Sequence, residues 1–168
     1  LPGLIVDRYG SWLLVQFLTL GVDRRRPVIV ESLLDLLEGD GIRGMYERSD
    51  VDVRQKEGLQ QRTGALWGDE PPDLVEIREN GQRFLVDLHT GHKTGFYLDQ
   101  RENRLRLSAH CTDADVLDAF AFTGGFAVYA AAGGASSVKL VDSSGPALEL
   151  ARRNIALNAG SPAARLRD

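Results

Sequence analysis

Two short segments carry the residue types from which a ligand site can be built. One is Phe120-Ala121-Phe122-Thr123-Gly124-Gly125-Phe126, the other Val141-Asp142-Ser143-Ser144. Each ends a β-prone run and leads into a stretch with helical spacing. Both therefore fall at the carboxyl ends of expected strands, where open α/β sheets bind their ligands. Gly124 and Gly125 let the backbone pass close to a ligand, and the N–H groups opening the next helix suit a phosphate or a carboxylate. Asp142, with Ser143 beside it, stands 18 residues after Gly124. A carboxylate at that distance, on the tip of the second strand, is placed to accept from ribose hydroxyls.

A nucleoside-containing cofactor follows from this pair of segments. The dinucleotide fingerprint G-x-G-x-x-G is not met, because the two glycines are adjacent and the third is missing. The phosphate-binding G-x-x-x-x-G-K-[ST] loop is absent too. A cofactor without a pyrophosphate, with a nucleoside at one end and a carboxylate at the other, fits better. S-adenosylmethionine (AdoMet) is such a molecule. On pattern alone NAD and a ligand-free fold stay open, since one glycine loop is a weak signal.

Other reactive side chains read more plainly. Cys111 is the one cysteine, so an internal disulfide is excluded, which fits a reducing cytoplasm. It lies between an expected helix and the first strand, at the wrong end of the sheet, and reads as a structural thiol. With His89, His92 and His110 it makes no recognisable metal-ligand set. No catalytic residue and no metal ligand is assigned. His92 and Lys93 read either as an exposed loop or as a contact to RNA or cofactor, and Arg24-Arg25-Arg26 as a solvated charge run, with a phosphate contact as the alternative. Trp12, Trp67 and the aromatics of 120–129 read as core.

The elements that must position these residues come from periodicity. Leu4–Val6 and Trp12–Phe17 form a hairpin around Tyr9-Gly10. A helix capped by Asp23, with Pro27 in its first turn, carries Ile29, Leu33, Leu34 and Leu37 on one stripe and ends at Gly39 and Gly41. Ile42–Glu47 is a short strand, Ser49 caps a short helix stopping at Gly58, and 59–73 is loop. Asn80-Gly81 between Val75–Ile77 and Phe84–Val86 is the strongest hairpin signal. Asp99 and Glu102 form a capping box for a helix to about His110. Then come a strand at Val116–Phe120, an Ala-rich helix to Gly133-Gly134, and a strand at Val138–Val141. A helix opened by Pro146 follows, ending at Asn158 and Gly160, and Ala163–Asp168 looks like the start of another strand. The expected fold class is α/β: a small α+β domain over 1–88, followed over 89–168 by the first part of a Rossmann-like sheet.

Composition agrees with a globular chain: 168 residues, 43% hydrophobic and 26% charged. The net charge is −4, from 12 basic and 16 acidic residues in 1–98 and eight of each in 99–168. A strongly basic nucleic-acid footprint is thereby excluded, so any RNA contact needs a local patch or another part of the protein. No run approaches the roughly 18 apolar residues of a membrane span, and no signal peptide is visible. The chain starts at Leu1 and holds one methionine, Met45, so it reads as an interior piece of a longer protein.

Three motifs in order carry a family resemblance: HKTGFYLDQR (His92–Arg101), DAFAFTGGFAVYAAAGGA (Asp118–Ala135) and VDSS (Val141–Ser144). They resemble the AdoMet-dependent methyltransferases that methylate carbon 5 of cytosine in 23S ribosomal RNA. LPGLIVDRYG and ERSDVDVRQKEG resemble that family's central domain. The resemblance implies a parent with an N-terminal PUA domain, this central α+β domain and a class I methyltransferase domain. It implies that Phe122, Thr123 and Gly124 belong to the AdoMet loop, that Asp142 is the ribose acid, and that Gln100 and Arg101 lie near the cofactor. Gly125 and Ser143 complete the cofactor-binding set. The nucleophilic cysteine would lie in a C-terminal part outside this chain, and ribosomal RNA would be the partner of the full-length protein. Two rival readings are a non-catalytic RNA-binding or ribosome-assembly module and an NAD-linked oxidoreductase. Cut within the sheet, the isolated chain is expected to form a homodimer or aggregate through its open edge and to bind AdoMet poorly.

Overall fold

The computed structural model describes residues 1–159. Its contacts group into two compact units that do not follow chain order: Leu1–Val75 with Val86–Phe96, and Glu76–Leu85 with the chain from Tyr97 on.

The first unit is built on a four-stranded sheet of order β1-β2-β3-β4. β1 (Leu4–Tyr9) and β2 (Trp12–Phe17) form the expected antiparallel hairpin, with Tyr9 opposite Trp12. Gly10 at φ 61° makes the turn. Two helices, α1 (Leu20–Asp23) and α2 (Arg26–Leu36), cross over to β3 (Gly44–Ser49), which runs parallel to β2. All six residues of β2 and all six of β3 are buried, as central strands covered on both faces must be. Leu13, Val15 and Phe17 alternate along β2 and pack with Val22, Ile29 and Met45; Leu33, Leu34 and Leu37 cover them.

Four expectations for this unit are corrected. Residues 59–73 are not all loop, because β4 (Arg62–Gly68) pairs antiparallel with β3. Its sequence, RTGALWG, has little β propensity, so the pairing with β3 makes the strand. Asp23 does not cap α2; it ends α1, and its carboxylate binds the Arg26 and Arg54 guanidinium groups at 2.5 and 3.1 Å. Ser49 does not cap a helix either. It ends β3, and its Oγ accepts from the Phe17 N–H at 3.0 Å. Arg24 and Arg25 are exposed, but Arg26 pairs with Glu47 and lies 4.6 Å over the Phe17 ring.

β5 (Val75–Glu79) and β6 (Gln82–Val86) form the expected hairpin, of which Glu76–Leu85 belongs to the second unit. Asn80 and Gly81 both take positive φ, 48° and 84°, as a type I′ turn demands. Three helices follow: α3 (Arg101–Ser108), α4 (Gly125–Ala132) and α5 (Gly145–Leu157). β7 (Asp115–Ala119) and β8 (Ser137–Val141) pair in parallel, from Asp115 opposite Ser137 to Ala119 opposite Val141. This is the expected βαβα unit. α3 starts one residue later than the capping box places it, with Gln100 at the cap making no side-chain cap bond and Asp99 in a preceding 3₁₀ turn. The strand expected at Ala163–Asp168 lies outside the described residues. No helix among the described residues is long and apolar enough to cross a membrane.

Within this unit the hairpin is held by a buried ion pair. Arg104 on α3 grips Glu79 of β5 through two bonds of 2.8 Å. The Tyr129 hydroxyl on α4 donates to a Glu79 carboxylate oxygen at 3.0 Å and accepts from Asn80 Nδ2 at 3.0 Å. Burial and the Glu79 charge push the Tyr129 pKa up to about 12.

Candidate functional site

The site lies where β7 and β8 end. Beyond β7 the backbone turns sharply: Phe120, Phe122 and Gly124 all take positive φ, at 62°, 48° and 74°. Only at Gly124 does this conformation come without strain. Gly124 is required for a second reason, since a Cβ there would lie 2.9 Å from the Ala151 Cβ on α5. The loop thus presses against α5 through a glycine and an alanine.

Asp142 joins the two strand ends. Its carboxylate accepts from the Phe122 N–H at 2.8 Å and from the Ser144 N–H at 2.9 Å. Ser143 beside it is exposed, and the Ser144 Oγ caps α5 by accepting from the Ala147 N–H at 3.3 Å.

The start of α4 is partly satisfied from within. Asp118 on β7 accepts from the Ala127 N–H at 3.1 Å, and the Val128 N–H reaches the Gly124 carbonyl at 3.0 Å. The N–H groups of Gly125 and Phe126 find no acceptor among the described residues. Two adjacent amides at a helix N-terminus suit a carboxylate. Asp118 and Asp142 interact electrostatically: burial first, then the Asp142 charge, raises the Asp118 pKa, while the Ala127 bond pulls it down.

Of the residues expected from the sequence, Phe122, Thr123, Gly124, Gly125, Asp142 and Ser143 come together at these strand ends. Gln100 and Arg101 bond elsewhere. Gln100 Oε1 accepts from Asn103 at 2.9 Å, and Arg101 donates to Asn80 Oδ1 at 3.0 Å. Their segment touches the loop through Tyr97, whose ring meets Phe122 edge-on at 5.5 Å. Three residues escaped the sequence reading. Asp118 looked like an ordinary strand residue, although an acid two positions before the loop can reach the helix N–H groups. Phe120 was expected in the core and is 91% exposed beside the loop, turned outward by its positive φ. Asn154 is fully buried on α5, and its Nδ2 donates to the Thr123 carbonyl at 3.0 Å. Trp67, also expected in the core, is 43% exposed on the first unit.

Cys111 is buried, its thiol donates to the Leu107 carbonyl at 3.2 Å, and burial raises its pKa. It is set up as a packed thiol, not as a nucleophile. His92 and Lys93 are exposed on the first unit. Thr94 beside them is buried, donating to Asp7 at 2.5 Å and accepting from the Tyr9 hydroxyl at 2.8 Å.

These features have the chemistry to take a ligand with a carboxylate at one end and hydroxyls at the other. Comparison with known proteins bears on the family and its cofactor. A "Ribosomal RNA large subunit methyltransferase I" from Aeromonas salmonicida is 49% identical over 158 residues, covering 94% of this chain and 39% of the relative. The chain therefore spans about two fifths of the length of the curated relatives it matches. Among solved structures, a Streptococcus mutans protein described as a SAM-dependent methyltransferase superposes with a TM-score of 0.82. It is 29% identical, over 98% of this chain and 41% of its own. A second, SMU.776, described as a methyltransferase and solved with SAH, gives 0.80 at 30% identity over 94% and 39%. Both share the Rossmann-like arrangement. The S-adenosylmethionine-dependent methyltransferase family matches residues 52–165, and the chain belongs to that family, whose cofactor is AdoMet.

Proposed function

We propose that the protein carrying this chain uses AdoMet to methylate carbon 5 of a cytosine in large-subunit ribosomal RNA, in a cytoplasmic setting. The observation that carries the reading is the pairing of Asp142 with the Phe122 N–H, beside two N–H groups left for a ligand at Gly125 and Phe126. In this reading those amides hold the amino-acid carboxylate of AdoMet, and Asp142 and Ser143 hold the ribose hydroxyls. Phe122, Thr123 and Gly124 shape the loop, and Gln100 and Arg101 stay close to it through Tyr97. AdoMet, when bound, supplies an electrophilic methyl group on a sulfonium. Asp118 and Asp142 add negative charge that favours the cation. The residues fit the group.

The RNA class rests on the 49% identity to a ribosomal RNA methyltransferase and on the three motifs. Methylation at carbon 5 needs a thiolate that adds to carbon 6 of the ring. Cys111 is buried and cannot serve, so in this reading the nucleophile comes from outside the chain. The chain-order division at residue 88 belongs to the same proposal, with Glu76–Leu85 lent by the first segment to the second unit.

The test is methyl transfer by the intact protein, using labelled AdoMet and ribosomal RNA from a strain lacking the modification. Label at carbon 5 of a cytosine is the expected result. Label confined to DNA or protein refutes the substrate class, and label in another base refutes the position.

A further inference from the structure

Asn154 on α5 and Asn158, the residue that ends the helix, lie four positions apart. Asn158 Oδ1 accepts from the Arg83 N–H at 3.0 Å, and its Nδ2 donates to the Arg83 carbonyl at 2.8 Å. Asn154 repeats the pairing on Leu85, accepting from its N–H at 2.7 Å and donating to its carbonyl at 3.4 Å. Arg83 and Leu85 are two apart on β6 and present their backbone groups to the same edge. Two side chains, one on a helix and one at its end, thus stand in for a neighbouring strand.

Asn158 Nδ2 also donates to the Asn154 carbonyl at 2.7 Å, so its further bond stays on its own segment, and only the Asn154 rung reaches the loop. Asn154 Nδ2 also donates to the Thr123 carbonyl at 3.0 Å. The Gly124 N–H of that same peptide donates to the Ala121 carbonyl at 2.9 Å. A peptide group is planar, so bonds at its C=O and its N–H together fix its orientation. The pinned peptide immediately precedes the open N–H groups of Gly125 and Phe126.

We propose that Asn154 is a positioning residue of the cofactor site: it pins the Thr123–Gly124 peptide and so aims the Gly125 and Phe126 N–H groups. The inference rests on the proposed reading that those amides meet AdoMet. Asn158 supplies the control, since it docks the same hairpin without touching the loop. The N154D side chain is a second probe, because its carboxylate still accepts from Leu85 but cannot donate to Thr123 when ionised.

The experiment compares wild type, N154A, N154D and N158A in the intact protein, at a temperature where all are folded by circular dichroism. SAH affinity is read by calorimetry and the AdoMet KM and kcat by methyl transfer. N154A and N154D are expected to raise the SAH Kd and the AdoMet KM about ten-fold, the scale of one buried hydrogen bond. N158A is expected to stay within about two-fold in both while its melting temperature falls alongside that of N154A. A purely structural role lowers kcat through the folded fraction and leaves KM unmoved. Hydrogen exchange of wild type with SAH separates the two layers of argument. Protection over residues 120–127 with an N154A KM matching that of N158A overturns the positioning role alone. No protection over 120–127 overturns the cofactor site and the positioning role together.

Discussion

Asp118 and Asp142 show how two like charges come to share one strand end. Asp142 accepts two backbone N–H groups and Asp118 accepts one, from Ala127. The Asp118 pKa is nonetheless raised above the ordinary 3.8, chiefly because burial penalises its charge. A raised folded-state pKa means that the stability Asp118 contributes is fully present below its unfolded value and is lost as pH rises through the folded one. At neutral pH the ionised group is a cost. D118N keeps an acceptor for the Ala127 N–H and removes the charge. It should melt above wild type at pH 7, with the gap closing as pH falls through the raised folded-state value and gone by about 3.8. Scanning calorimetry at several pH values checks this; a gap constant with pH would contradict the assignment. The sequence showed Asp142 because it ends a strand. It hid Asp118, whose role depends on a helix turning back to within 3.1 Å of it.

At the scale of elements, legibility followed local signals. Asn80-Gly81 announces its hairpin, and the strands and helices of the βαβα unit announce themselves by period and by terminal glycines. β4 does not, because pairing with β3 outweighs its composition. The amide ladder on β6 was also illegible, since an asparagine in a helix reads as a solvated polar residue until its partners are known. The glycine loop was legible as a loop, but the packing that makes Gly124 necessary was not. G124A should cost about 2–4 kcal/mol, combining left-handed backbone strain with overpacking against Ala151. Gly145 opens α5 with open space where a Cβ would go. G145A should therefore be neutral or stabilising by up to about 1 kcal/mol. Urea unfolding of both variants measures the contrast, and equal costs would show that the close approach to α5 does not constrain the loop.

For the whole molecule, chain order and spatial grouping diverge. The segment Glu76–Leu85 joins the second unit although the chain between Val86 and Phe96 returns to the first. Within the second unit the Glu79–Arg104 pair does much of the anchoring, with side chains 6% and 2% exposed. Removing one partner leaves a buried charge uncompensated, so R104A should destabilise by about 3–5 kcal/mol in denaturant unfolding. A loss below about 1 kcal/mol would mean that the hairpin is held by the Asn154 and Asn158 rungs instead. In the proposed reading, the net charge of −4 leaves any RNA contact to local patches or to the rest of the protein.

The most direct test is a crystal structure of the intact protein with SAH bound. The expected result has the ribose hydroxyls within hydrogen-bond distance of Asp142 and the ligand carboxylate on the N–H groups of Gly125 and Phe126. SAH seated away from both strand ends, or touching Asp142 while those two amides face solvent, would contradict it.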